Sequence, residues 1–357
     1  MNQSGSVTED KSESKASSSS DINIPEFILK YLRFLDSGFE ISQIIKDEYP
    51  RLVLRVKIKG RDCLVKAVRN LTLWKKPGRY FRFQKEIFLY SQLEMLEFRH
   101  FQYPRLRHTD GEKLIVTDFV AHDPSLSPDK YFCDSAIKAV LELNVCDFPY
   151  EKHGGLGWTW EKINRWKFSR STKTLRHLFE GFFIRRKIPL FLLVETLSFW
   201  IKAFLGSTKL KYPLLVHRDI FKANILRPDK RSIYFIDFEK AGLEKRWVFV
   251  DALKIAQADP LFFRENEGLI SGFPRFKVKL LENYWKDLLS YRPELGTNLE
   301  AYKLQLKFCI LGWTLKKMVK EKLTPLQEKH LIRFLKTVIL GSDEHFENWI
   351  NNLPGSE

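Results

Sequence analysis

Four polar residues in the stretch 216–239, V-H-R-D-I-F-K-A-N-I-L-R-P-D-K-R-S-I-Y-F-I-D-F-E, have the types and spacing that phosphoryl transfer needs. His217 and Asp219 stand two apart, Asn224 follows the aspartate by five, and an apolar strand-like run ends in Asp237-Phe238. Such chemistry requires a base to orient the attacking hydroxyl. It also requires oxygen ligands for the magnesium that neutralises a polyphosphate. Asp219 suits the first task; Asn224 and Asp237 suit the second. Each motif alone is short, but the two in this order, joined by a hairpin-length spacing, form a much more specific signal.

The elements that must position these residues can be read from periodicity. Apolar residues at helical spacing predict a short leading helix within 24–39. The period then changes to two: Leu52, Leu54, Val56 and Ile58 alternate with basic residues, Gly60 marks a turn, and 63–68 returns as a second strand with Leu64, Lys66 and Val68 on one face. A helix is predicted over 79–97, with Phe83, Ile87 and Tyr90 on one stripe and Glu86 at its edge. Segments 103–107 and 113–118 flank the turn Thr109-Asp110-Gly111 as a hairpin. From there the chain turns helical. Helices are expected over 135–143, over 188–205 with the stripe Leu190, Val194, Leu197, Ile201 and Phe204, and from Ala252 to 258. Three more follow over 275–291, 299–320 and 324–340, the last with Thr324, Pro325 and Gln327 as a capping box and Gly341 at its end.

These motifs resemble the protein-kinase-like superfamily, whose catalytic loop reads H-R-D-x-x-x-x-N and whose metal motif reads D-F-G. Glu239 replaces the glycine. That form resembles the aminoglycoside phosphotransferase and choline kinase branch, or the bacterial lipopolysaccharide kinases. The Ser-rich composition of 1–22 offers too little apolar surface to offset the entropy of ordering, so a disordered tail is expected there. The resemblance implies a bilobal α+β fold, with a nucleotide-binding sheet lobe over 23–118 and a mostly helical catalytic and acceptor-binding lobe over 119–357. It implies ATP and Mg2+ as cofactors and an alcohol hydroxyl as acceptor. Lys66, read on its own as a snorkelling strand lysine, takes the place of the phosphate-pairing lysine, with Glu86 as its partner. Thr117, Asp118 and Phe119 fall where the lobes join and adenine binds. Asp251, otherwise a helix N-cap, takes the place of the acid that braces the catalytic loop.

Two features depart from the superfamily. The phosphate-covering loop would fall at 44–52, I-I-K-D-E-Y-P-R-L, which contains no glycine to allow close backbone approach. There is no A-P-E tripeptide, and Asp251 follows Asp237 by 14 residues, which leaves little room for a peptide-docking segment. Protein phosphorylation is therefore disfavoured against small-molecule, glycan or lipid head-group phosphorylation, and Arg218 reads as structural. A non-catalytic pseudokinase is the competing class; the missing glycines favour it, and the joint presence of Lys66, Asp219, Asn224 and Asp237 opposes it.

Composition bears on partners. A net charge of +16 over 357 residues favours anionic partners, such as an anionic glycan or lipid acceptor and an anionic membrane surface, over the cationic aminoglycosides or choline. The segment 158–187 concentrates Lys and Arg among tryptophans and phenylalanines. It reads either as a solvated helical face or as a contact with the cytoplasmic face of a membrane. No specific nucleic acid is expected. The glycines at 154, 155 and 157 read as turn residues, because no strand precedes them. Cys63, Cys133, Cys146 and Cys309 lack metal or disulfide spacing. The N-terminal residues lack a signal-peptide layout, and 188–205 is too polar to span a bilayer, so a cytoplasmic location is expected.

Overall fold

The computed structural model describes residues 24–49, 51–69, 77–123, 125–126, 130–148, 170–220, 224–256, 277–296, 299–320 and 322–341. The Ser-rich tail, the glycines at 154–157 and the part of the basic aromatic segment before Arg170 lie outside them.

The N-terminal elements are α1 (Glu26–Leu35), β1 (Glu40–Glu48), β2 (Arg51–Ile58), β3 (Arg61–Val68), α2 (Pro77–Leu93), β4 (Leu106–Thr109) and β5 (Leu114–Asp118). The strands form one antiparallel sheet in the order β1-β2-β3-β5-β4. Strict alternation gives the sheet two different faces. Leu52, Leu54, Val56, Val65, Ala67, Leu114 and Val116 pack against Ile28 and Leu32 of α1. On the other face Val68 and Ile115 meet Phe83 and Ile87 of α2, and Lys66 shares that face. Between β2 and β3, Lys59 and Gly60 both have positive φ, the geometry of a tight hairpin turn, and the Lys59 N–H donates to Asp36 Oδ2 at 2.6 Å.

Several boundaries differ from the sequence expectation. The leading helix stops at Leu35, α2 stops at Leu93, and the expected strand 103–107 starts and ends later, so Thr109 of the expected turn is in β4. The glycine-free stretch near 44–52 is strand on both sides: β1 and β2 pair up to Glu48 opposite Arg51, with bulges near Gln43 and Lys46. A hairpin of β-branched and charged residues thus stands where a glycine loop was sought.

The C-terminal elements are α3 (Lys130–Val145), α4 (Arg170–Phe179), a π-helical turn (Glu180–Ile184), α5 (Leu190–Gly206), β6 (Leu214–Val216), β7 (Ile225–Leu226), β8 (Tyr234–Phe235), a 3-10 turn (Phe238–Lys240), β9 (Gly242–Glu244), α6 (Ala252–Ala256), α7 (Val278–Tyr291), a second 3-10 turn (Pro293–Leu295), α8 (Leu299–Lys320) and α9 (Pro325–Leu340). α3 is longer than expected at both ends, and α7 starts later than expected. α8 runs through the interior, with residues on all its sides buried. Trp247 stacks on Phe308 of α8 with ring centres 3.5 Å apart, and Trp313 is buried as a core residue. The capping box of Thr324 and Gln327 is formed.

The pattern misled at α5. Leu192, Leu193, Thr196 and Ala203 face inward, whereas Leu190, Val194 and Ile201 of the expected stripe are exposed. Both sides of this helix are apolar, so periodicity defined the faces without ordering them.

Candidate active site

The strand β6 is buried and leads into the loop carrying His217, Arg218 and Asp219. Its outward edge is held by Asn144 of α3, whose Nδ2 donates to Leu215 O at 2.7 Å, while Tyr284 of α7 donates its hydroxyl to Asn144 Oδ1 at 2.6 Å. Asp251 is fully buried and accepts from the backbone N–H of His217 (2.6 Å) and of Arg218 (2.8 Å). It thus braces the loop with its side chain. Lys254 adds a bond from its ammonium to Arg218 O. The Arg218 guanidinium donates to Leu243 O in β9 at 2.7 Å and lies near Glu244, a structural placement that holds the loop in its left-handed turn at φ 65.

His217 is buried against Phe238, with ring centres 4.7 Å apart, and its Nε2 lies 2.9 Å from Ile236 O. Facing a carbonyl, Nε2 must carry the N–H and donate it. Burial lowers its pKa below the usual value, against the opposing attraction of Asp251.

Asp219 and Asn224 are brought together. The Asn224 Nδ2 donates to Asp219 O at 2.9 Å, which directs its amide oxygen the other way. Lys240, which the sequence reading passed over, places its ammonium 2.6 Å from Asp219 Oδ2. It belongs to the 3-10 turn that Asp237 opens, so the turn after Asp237 reaches back to the loop carrying Asp219.

Asp237 sits in the left-handed region, φ 62, ψ 59. Its Oδ1 accepts from Lys66 Nζ at 2.8 Å, and the same ammonium reaches Glu86 Oε2 at 2.5 Å. One lysine on β3 therefore links α2 with the segment at Asp237. Burial disfavours the Lys66 ammonium, but the carboxylates of Glu86 and Asp237 outweigh it and its pKa is raised. Burial pushes the Glu86 carboxyl up to about 7, Lys66 opposing and Asp237 reinforcing. Asp237 is half-buried, and this partial desolvation works against its charge; Lys66 overcomes it and the pKa is lowered. Two further contacts clamp α2 to this segment: Lys85 Nζ donates to Ala241 O at 2.6 Å, and the Tyr90 ring meets Phe238 edge-on with ring centres 5.7 Å apart. Arg51 meets Glu239 at 2.7 Å.

At the lobe junction Thr117 is buried in β5, and Asp118 turns its carboxylate to Arg107 in a two-pronged pair at 2.5 and 2.9 Å. The N–H of Asp118 donates to Arg105 O and that of Phe119 to Asp62 O, while Arg55 stacks over the Phe119 ring at 4.2 Å. These bonds fix the path of the junction and engage two of its N–H groups.

The donor set suits a hard cation. Among the described residues no group of three or more His, Cys, Asp or Glu could hold a metal by itself. Asp237 and Asn224 instead offer a carboxylate and an amide oxygen, the kind of partial shell that phosphate oxygens and water complete around Mg2+. All four cysteines are free thiols.

Solved structures share this architecture. The gentamicin complex of APH(2")-IIa is 12% identical with a TM-score of 0.50, the match covering 91% of this chain and 99% of that one. The streptomycin–ATP ternary complex of APH(2")-IIa gives the same figures. The aminoglycoside phosphotransferase APH(4)-Ia is 12% identical over 88% of this chain and 98% of that one, with a TM-score of 0.46. No protein-family model matches the sequence, and no curated protein matches it. The likeness is one of fold: an antiparallel sheet lobe followed by a helical lobe, the bilobal arrangement of the protein-kinase-like proteins.

Proposed function

We propose that the chain is an ATP-dependent phosphotransferase that moves a γ-phosphoryl group to an alcohol hydroxyl. The observation that carries this reading is the pairing of Lys66 with both Glu86 and Asp237. A lysine held between carboxylates at the edge of a metal motif is placed to meet polyphosphate, and the base candidate Asp219 is tied to that motif through Lys240.

In this reading residues 23–118 form the nucleotide-binding lobe and 119–357 the catalytic and acceptor-binding lobe. Thr117, Asp118 and Phe119 border the adenine. Asn224 and Asp237 hold Mg2+, which supplies charge neutralisation on the polyphosphate. Asp219 orients the acceptor hydroxyl and takes its proton as the acceptor oxygen bonds to the γ-phosphorus. The bond from that phosphorus to the β–γ bridging oxygen breaks, and ADP leaves. ATP as the donor places the reaction on the cytoplasmic side.

The similar structures hold gentamicin and streptomycin, which are cationic acceptors. A chain carrying +16 supports the opposite choice, a hydroxyl on an anionic glycan or lipid head group. A labelled-ATP assay on fractionated cell extract, with the product identified by mass spectrometry, tests the reading. Magnesium-dependent label on a hydroxyl-bearing small molecule, glycan or lipid is expected. Nucleotide binding with no labelled product from any fraction would instead support a non-catalytic kinase-like module.

A further inference from the structure

Helix α5 exposes a stripe that its apolar composition would be expected to bury. Leu190, Val194, Ile201 and Leu205 recur at helical spacing on its outer side, with Leu190 64% and Leu205 77% exposed. Phe183 and Ile184 of the preceding π-helical turn are exposed to 66% and 72%. Scattered exposed apolar residues are ordinary, but here four recur along one face of a 17-residue helix about 25 Å long, and two more sit in the turn that precedes it in the chain.

The surround of this patch is basic. Arg185 and Arg186 are exposed between the π-helical turn and α5, and Lys202 is exposed on the helix itself. The Lys336 ammonium lies 4.7 Å from the centre of the Phe191 ring. Glu195 is the acidic residue of the exposed helix face. Two copies of the chain meeting through this face would set these cations against cations on partners that each carry +16. An anionic bilayer answers both features: its head groups pair with the Arg and Lys rim, and its acyl boundary accepts the Leu, Ile and Phe side chains. No helix among the described residues is long and apolar enough to cross a membrane, so the geometry suits a helix lying on the surface.

We propose that α5 and the turn 183–186 form a docking face for an anionic membrane surface. The inference stands apart from the phosphotransferase reading, because it rests on none of the residues placed in the active site. Part of the segment 158–187 contributes through Arg185 and Arg186, but the apolar part of the face lies on the helix that follows.

The test is co-sedimentation of the full chain with vesicles of equal parts phosphatidylglycerol and phosphatidylcholine, and with phosphatidylcholine alone. Binding to the anionic vesicles is expected to be at least about tenfold tighter than to the neutral ones. Two variants are compared, Leu190→Ser with Val194→Ser and Leu205→Ser, and Arg185→Glu with Arg186→Glu; each is expected to weaken anionic binding by at least about tenfold. Hydrogen exchange of the unaltered chain with and without anionic vesicles guards against a variant that misfolds, with added protection expected over 183–205. Equal binding to both vesicle types, or none to either, overturns the proposal. So does loss on charge reversal without loss in the serine variant, which would mean adsorption of a basic protein only. Self-association through this face in the absence of vesicle binding also overturns it, in favour of a second copy. Unaltered exchange over 183–205 overturns it whatever the variants do.

Discussion

Arg51, the first residue of β2, meets Glu239 at 2.7 Å and so ties the sheet to the residue after Asp237-Phe238. The glutamate stands where the superfamily motif has glycine, and its side chain is almost fully buried. Removing one partner of a buried pair leaves the other charge uncompensated. Arg51→Ala is therefore expected to cost about 3 kcal/mol of stability, and Arg51→Ala with Glu239→Gln distinctly less. Urea denaturation of the single and double variants measures this; additive losses would mean that the contact contributes nothing of its own.

Lys240 reaches Asp219 Oδ2 from the turn that Asp237 opens, and its side chain is 41% exposed. It is placed to orient the carboxylate without packing into the core. Lys240→Met should lower kcat by about tenfold or more while changing the KM for ATP little, because positioned acid–base groups act on the transition state. A rise in that KM with kcat unchanged would make Lys240 a nucleotide contact instead.

Mg-ATP should raise the melting temperature of the unaltered chain. At a ligand concentration of about one hundred times Kd the stabilisation is about 2.7 kcal/mol. Asp237→Ala and Lys66→Met are each expected to remove most of that shift, since both residues belong to the same linked set. A full shift in Asp237→Ala would show that the nucleotide binds elsewhere.

Stability should fall in mild acid partly through His217. Its folded pKa lies below 6.5, because burial disfavours the imidazolium more than Asp251 and the Ile236 carbonyl favour it; Lys254 also disfavours it, and Asp237 partly offsets that. The unfolded chain therefore takes up the proton first as pH drops. The stability that His217 contributes is complete above pH 6.5 and is lost as pH falls toward its folded pKa, with a slope of at most about 1.4 kcal/mol per pH unit. Glu86 acts in the other direction: its pKa is raised to about 7, so its contribution is present at low pH and is lost as pH rises through that value. The measurement is thus a comparison, with urea unfolding between pH 7 and 5 for the unaltered chain and for His217→Gln. The variant should lack the His217 component, and identical slopes would contradict it.

The sequence carried the site further than it carried the surfaces. Short spacing singled out Asp219, Asn224 and Asp237 as candidates, whereas Lys66 reads on its own as a snorkelling strand lysine and was singled out by the resemblance; the fold brings Lys66 to Asp237 and Asn224 to Asp219. The contacts of Lys240 with Asp219 and of Arg51 with Glu239 left no local signal. Nothing near Arg51 in the chain indicates that β2 begins beside Glu239, and a lysine after D-F-E reads as an ordinary surface cation. At 44–52 a glycine loop was sought by analogy, whereas the alternation of Ile41, Ile44, Leu52 and Leu54 was itself a strand signal. On α5 the period was right and the inward side was not, because Leu192, Leu193 and Ala203 offer an equally apolar face.

If Asp219 receives the acceptor proton, Asp219→Asn is the decisive variant. The amide keeps the shape and can still meet Asn224, but it cannot act as a base. With the identified acceptor and Mg-ATP, initial rates should fall by about 10² to 10⁴-fold while ATP affinity stays within a few-fold of the original. Turnover equal to that of the unaltered chain would mean that Asp219 is not the base.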